Sequence, residues 1–173
     1  INGTLEDLAS KFVKDDLSAE KCIEGSKYII AEWISDNASY RKWIRSYFYK
    51  NGIISSTKKK GEDIDSAKTY EMYYSYQEPV KYIKPHRILA LNRGENEKVL
   101  SVSIDIDKEG VFSYLEKKLI KNDKSFVVDT VKEAILDSYK RLIEPSIERE
   151  IRSDLTEVGE EAAIDNFGKN LEA

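Results

Sequence analysis

The chain has 173 residues, 35% of them charged and 40% apolar, and a formal net charge of -4, the make-up of a soluble globular protein rather than a disordered one. Cys22 is its only cysteine and His86 its only histidine, which excludes a disulfide framework and leaves a zinc site short of ligands, as expected of a cytoplasmic protein. No apolar run is long enough to cross a bilayer and the first residues do not resemble a signal peptide, so no membrane partner is expected.

In chain order, Thr4 and Asp7 open a short helix, and Ser18 before Ala19 opens a second with Ile23, Ile30 and Ile34 on one stripe. A third helix is predicted from about Ala38 to Lys50, where Tyr40, Trp43, Ile44, Tyr47 and Phe48 keep the spacing of a buried face and Gly52 stands at the cap. Ile53 to Thr57 reads as a brief strand followed by the loop Lys58–Gly61. A helix is predicted from about Ser66 to Gln77, with Tyr70, Tyr74 and Gln77 on one side, and it must end near Glu78 because Pro79 excludes its predecessor from helical geometry.

Pro85 suits the first position of another helix, which Gly94 would end. Between Val99 and Ile106, the residues Val102, Ile104 and Ile106 alternate with Ser101, Ser103 and Asp105, the mark of a half-buried strand. Its natural partner is the Ile53 segment, since an isolated strand leaves its backbone groups unpaired. Val111, Phe112, Leu115 and Leu119 mark a further helix, and Val128, Val131, Ile135, Tyr139 and Leu142 a long one beginning after Ser125. Pro145 should kink or restart it, and at Gly159 it should break or change neighbours. The fold class is therefore mainly α, an irregular multi-helix assembly with a small antiparallel two-stranded β element. Residues 1–173 read as one helical fragment of a larger protein, with 58–65 as the place for an internal boundary.

Charge is unevenly spread. Between Tyr40 and Lys60 the chain places Arg41, Lys42, Arg45, Lys50, Lys58, Lys59 and Lys60 without a single Asp or Glu, whereas acids dominate from Glu144 to Asp165. Arg41, Lys42, Arg45 and Tyr49 share the helix face opposite the aromatic stripe, so that face and Lys58, Lys59 and Lys60 form the candidate contact for a phosphate backbone. A solvated basic face is the competing explanation. Arg87 in a first helical turn opposes the helix dipole and calls for a specific partner, an internal carboxylate before an external phosphate. His86 and Cys22 read as structural residues, because neither has a motif partner. Asp105 and Asp107 are too few to specify a divalent ion. Arg141 lies within a turn of Glu144, and Glu148 lies four residues before Arg152, spacings that brace a helix surface. No P-loop, dinucleotide fingerprint or zinc-protease motif occurs. No catalytic residue, metal or cofactor is assigned.

Two strings, Pro85 to Glu95 and Arg141 to Glu150, together with the Arg41–Gly52 helix and Glu161 to Phe167, make the chain resemble the Tex family of bacterial transcription accessory proteins over nearly its whole length. The resemblance implies a largely helical, multidomain nucleic-acid-binding protein. This piece would lie between an N-terminal helical region and an RNase-H-like domain, with helix-hairpin-helix and S1 modules following. It assigns structural roles to His86, Arg87, Arg93, Gly94, Glu95, Arg141, Pro145 and Arg149. The resulting expectation is a helical scaffold that positions neighbouring nucleic-acid-binding domains, with auxiliary phosphate contact and no enzymatic activity. The alternative is a module that docks a partner from the transcription machinery through an exposed tyrosine-rich face.

Overall fold

The computed structural model describes residues 19–61, 64–121 and 127–172, with the side chains of 19–24 excepted. The helix expected at Thr4 and the side chains of Cys22 and Ile23 lie outside the described residues. The chain divides into two compact units, each assembled from two stretches: Ile1–Ile44 with Lys108–Ile147, and Arg45–Asp107 with Glu148–Ala173. The segment 58–65 falls within the second.

The first unit is helical. It contains α1 (Ala19–Asp36), the first turns of α2 (Ala38–Asn51), α4 (Lys108–Leu119), α5 (Val128–Asp137), a π-helical turn (Ser138–Ile143) and the start of α6 (Glu144–Glu172). The second contains α3 (Pro85–Asn96) and the strands β1 (Ile53–Lys58), β2 (Ser75–Pro79) and β3 (Leu100–Asp105). Asn37 separates α1 from α2 and accepts the Tyr40 N–H at 3.1 Å on its side chain, an N-cap that satisfies one of the donors a helix start leaves free.

In the first unit α1 packs on α5 and on the π turn, and the Ser138 hydroxyl donates to the Ala31 carbonyl at 2.6 Å. Val131, Ile135, Tyr139, Ile143 and Ile147 are all buried, a strict four-residue repeat. An ordinary α-helix would rotate that row by about 40° at each step. The π turn takes up more residues per turn and so offsets the rotation. Pro145 accounts for its position: proline cannot donate to the carbonyl four residues back and its ring crowds that carbonyl. In the adjoining turn the Glu144 N–H reaches Tyr139, five residues back. The helix therefore passes through Pro145 by a π bulge.

In the second unit the strand order is β2-β1-β3, antiparallel throughout. The expected pairing of β1 with β3 is present, with Ile54 opposite Ile104 and Ser56 opposite Val102. These residues and Leu100 are buried while Ser101, Ser103 and Asp105 are exposed, the alternation of a sheet covered on one face. Fully burying a side chain such as Ile54, Phe48 or Ile151 contributes about 1.5–3 kcal/mol.

The sheet has a third strand where a helix was expected. Asp65 accepts the backbone N–H groups of Thr69 and Tyr70 at 3.0 and 2.9 Å, Lys68 takes a left-handed φ of 52°, and only a single 3-10 turn, Glu71–Tyr73, follows. The chain then straightens, and Lys58 donates its N–H to the Tyr74 carbonyl at 3.1 Å to open the β1–β2 ladder. Pairing with β1 outweighs the helical spacing of Tyr70, Tyr74 and Gln77, helped by the strand preference of tyrosine.

Gly94 does not end its helix and Gly159 does not break its own, since both lie inside unbroken helices. A Cβ on Gly94 would meet Leu100 Cδ1 at 2.4 Å, and one on Gly159 would meet the Pro85 carbonyl at 3.1 Å and Leu89 at 3.3 Å. They are close-approach glycines, not caps. α3 ends instead at Glu97 and Lys98: Val99 donates to Gly94, Lys98 donates to Glu95, and Lys98 takes φ 63°, a Schellman cap with lysine in the place glycine favours.

Candidate nucleic-acid interface

The cationic candidates divide between the units. Arg41 and Lys42 belong to the first. Arg41 donates to the Ser35 carbonyl at 3.1 Å and to the Ser146 hydroxyl at 2.5 Å, while Lys42 is exposed.

In the second unit Arg45 lies 3.8 Å from Glu150, and the Tyr49 hydroxyl donates to Asp154 at 3.0 Å. Glu150 and Asp154 are one turn apart on α6, so this stretch of α2 turns its cation and its phenol toward an acidic row. Burial, and then the hydrogen bond to Asp154, push the Tyr49 pKa up to about 12. Lys58, Lys59 and Lys60 carry β1 into its loop. The Lys58 ammonium lies 4.9 Å from the centre of the Tyr74 ring, the Lys59 N–H donates to Val99 at 2.8 Å, and all three side chains are exposed. Among the described residues no three His, Cys, Asp or Glu side chains gather into a metal-sized cluster. Asp107 offers its carbonyl to the Tyr47 hydroxyl at 3.0 Å.

Arg87 and Arg141 of the two strings, and Arg152 beyond them, have partners within the protein. Arg87 reaches the Tyr76 hydroxyl at 3.3 Å with its guanidinium 5.6 Å from that ring, and the same hydroxyl donates to Glu78. The expected carboxylate is thus met through a phenol. Arg141 grips Asp137 with two bonds of 3.1 and 2.9 Å, not Glu144, which lies 3.7 Å from Lys108. Arg141 also lies 5.6 Å from the centre of the Tyr28 ring. Glu95 receives Arg152 at 2.9 Å, Arg152 also donates to Asn92 at 2.8 Å, and Asn92 donates to Thr156 at 2.7 Å, so a polar latch joins α3 to α6. Arg93 and Arg149 are exposed.

The sequence itself matches the profile described as Tex central region-like over residues 3–167. The chain belongs to the Tex family. Among its relatives, the uncharacterized protein YdcI of Bacillus subtilis is 49% identical over 158 residues, covering 91% of this chain and 22% of that protein. The human S1 RNA-binding domain-containing protein 1 is 32% identical over 162 residues, covering 85% of this chain and 16% of that protein. The transcriptional accessory protein Tex of Neisseria gonorrhoeae is 24% identical over 173 residues, covering 96% and 23%. The chain therefore spans about a fifth of the length of these relatives.

Within this Tex-family chain, sequence reasoning missed Tyr76, Asn92, Asp137 and Thr156. Asp137 was accessible, because it lies four residues before Arg141. The other three depend on contacts between elements distant in sequence. The tyrosine-rich segment turns inward: Tyr70 and Tyr73 are buried, and the Tyr70, Tyr74 and Tyr76 hydroxyls donate to Glu97, Asp65 and Glu78. An exposed tyrosine face is not formed there. Among the described residues no helix is long and apolar enough to cross a membrane.

Proposed function

We propose that this chain is the helical scaffold of a transcription accessory protein that binds nucleic acid, holding neighbouring nucleic-acid-binding domains in register and touching the phosphate backbone through Lys58, Lys59 and Lys60. The observation that carries this reading is a division of labour among the cations. Arg87, Arg141 and Arg152 are engaged with Tyr76, Asp137 and Glu95, the bidentate and stacked uses for which a guanidinium is suited, and Arg45 lies 3.8 Å from Glu150. The three consecutive lysines are exposed at the end of a strand, and ammonium groups commonly neutralise phosphates without reading sequence. The names of two relatives, a transcriptional accessory protein and an S1 RNA-binding domain-containing protein, agree with that partner class.

The reading is of binding, not catalysis. A fluorescence-anisotropy titration of a labelled single-stranded oligonucleotide tests it, using the chain and its Lys59→Glu/Lys60→Glu variant. Affinity should fall at least tenfold in the variant and should not depend on base sequence. An unchanged titration curve would overturn the contact assigned to the lysines.

A further inference from the structure

The sheet of the second unit has one open face. Its antiparallel register sets Thr57 between Ser75 and Ser101, and Ser55 between Gln77 and Ser103. All of these side chains are exposed except Ser55, which is half-buried at the centre. The covered face uses its hydroxyl internally: Ser56 is buried and donates to the Tyr73 carbonyl at 2.8 Å. Along β1 the two polar rows lead directly into Lys58, Lys59 and Lys60, and the Lys59 N–H, bonded to Val99, carries the β1–β3 register one residue further.

The chemistry of this face selects its occupant. At the end away from the lysines, Ile53 lies between Pro79 and Asp105, so apolar surface and a carboxylate are confined to that end. A protein partner finds little to hold, because the centres of protein interfaces are depleted in serine and built on apolar or aromatic anchors. A nucleobase finds no ring among these residues on which to stack. A ribose fits better. Its 2′-hydroxyl both donates and accepts, as Ser, Thr and Gln side chains do, whereas an ammonium can only donate. Rows two residues apart on a strand recur about every 6.6 Å, so successive sugars of an extended polynucleotide can meet successive rows.

We infer that this face receives the ribose backbone of single-stranded RNA, continuing from phosphates held by Lys58, Lys59 and Lys60 and selecting RNA over DNA through the 2′-hydroxyls. The inference rests on the lysine contact proposed above and deepens it. The lysines neutralise a charge that RNA and DNA share, and the polar rows respond to the one group that only RNA carries.

The test compares a short fluorescein-labelled oligouridylate with its deoxyuridine counterpart by anisotropy, on the chain and on its Thr57→Val/Ser103→Ala variant. Valine keeps the branched shape and the strand preference of threonine, and both sites are exposed. RNA should bind the unaltered chain about threefold or more tighter than DNA, the scale of a net hydrogen bond, and that ratio should fall to about one in the variant. In the 15N-labelled chain, RNA should shift the amides of Ser55, Thr57, Gln77 and Ser103. Equal affinity for RNA and DNA, a ratio unchanged in the variant, or shifts confined to Lys58, Lys59 and Lys60 would each overturn the assignment. Those outcomes leave the lysine contact standing, since it is read from the loss of affinity in the Lys59→Glu/Lys60→Glu variant. Failure of both oligonucleotides to bind would overturn both.

Discussion

A Cβ on Gly94 would lie 2.4 Å from Leu100 Cδ1 and 3.2 Å from the Tyr70 ring, whereas one on Gly168 would meet nothing within 4 Å. Helix propensity favours alanine at both positions by up to about 1 kcal/mol. Gly168→Ala should therefore gain up to about 1 kcal/mol in urea denaturation, and Gly94→Ala should lose about 2 kcal/mol because overpacking a filled core outweighs propensity. Lys98 offers the reverse change. It holds φ 63° at the end of α3, so Lys98→Gly should stabilise the chain by about 1 kcal/mol in the same assay. The tyrosines give a pH signature. Tyr49 and Tyr70, mainly through burial, and Tyr74, mainly through its bond to Asp65, have pKa values pushed up to about 12. A raised phenol pKa stabilises the fold fully below the ordinary value near 10 and loses that contribution as pH rises through 12. Urea midpoints should hold steady between pH 8 and 9.5 and decline from pH 10 upward, and a flat profile to pH 12 would contradict these environments.

At the scale of elements, the latch between α3 and α6 is the most direct energetic claim. Arg152, with its side chain 16% exposed, bonds Glu95 and Asn92 together. Arg152→Ala should cost about 2 kcal/mol, the range for hydrogen bonds to a charged group, and a double-mutant cycle with Glu95→Ala should return a coupling of at least about 0.5 kcal/mol. Additivity of the two losses would show that the latch is not formed. Helices with a clear apolar period were legible in the sequence. α2 is bounded by Asn37 and Gly52, and β3 alternates cleanly, so both stand where their residues placed them. The tyrosine segment was not legible, because Tyr70, Tyr74 and Gln77 satisfy a helical period while Asp65, Lys68 and the open edge of β1 impose a turn and a strand. Gly94 misled for a related reason: glycine signals either a helix end or a close neighbour, and only the neighbouring element decides which. The same limit hid Tyr76 and Asn92, whose partners Arg87 and Arg152 are named by the fold and not by spacing.

Across the whole molecule, acids and bases are segregated along the chain, and the fold spends part of that segregation internally by setting Arg45 and Tyr49 toward Glu150 and Asp154. In the proposed reading an outside polyanion meets the exposed Lys58, Lys59 and Lys60. This is compatible with a net charge of -4, because phosphate contact depends on local charge more than on the total. The chain spans about a fifth of the length of these Tex-family relatives. The most direct measurement is the salt dependence of oligonucleotide affinity. Each phosphate neutralised on a single strand contributes a slope of about -0.7 to log K against log salt. Replacing Lys58, Lys59 and Lys60 together by Gln should flatten the slope by about 2, while Arg45→Gln should leave it nearly unchanged. Equal slopes for the wild-type chain and the triple lysine variant, or a larger loss from Arg45→Gln than from the lysines, would contradict the account.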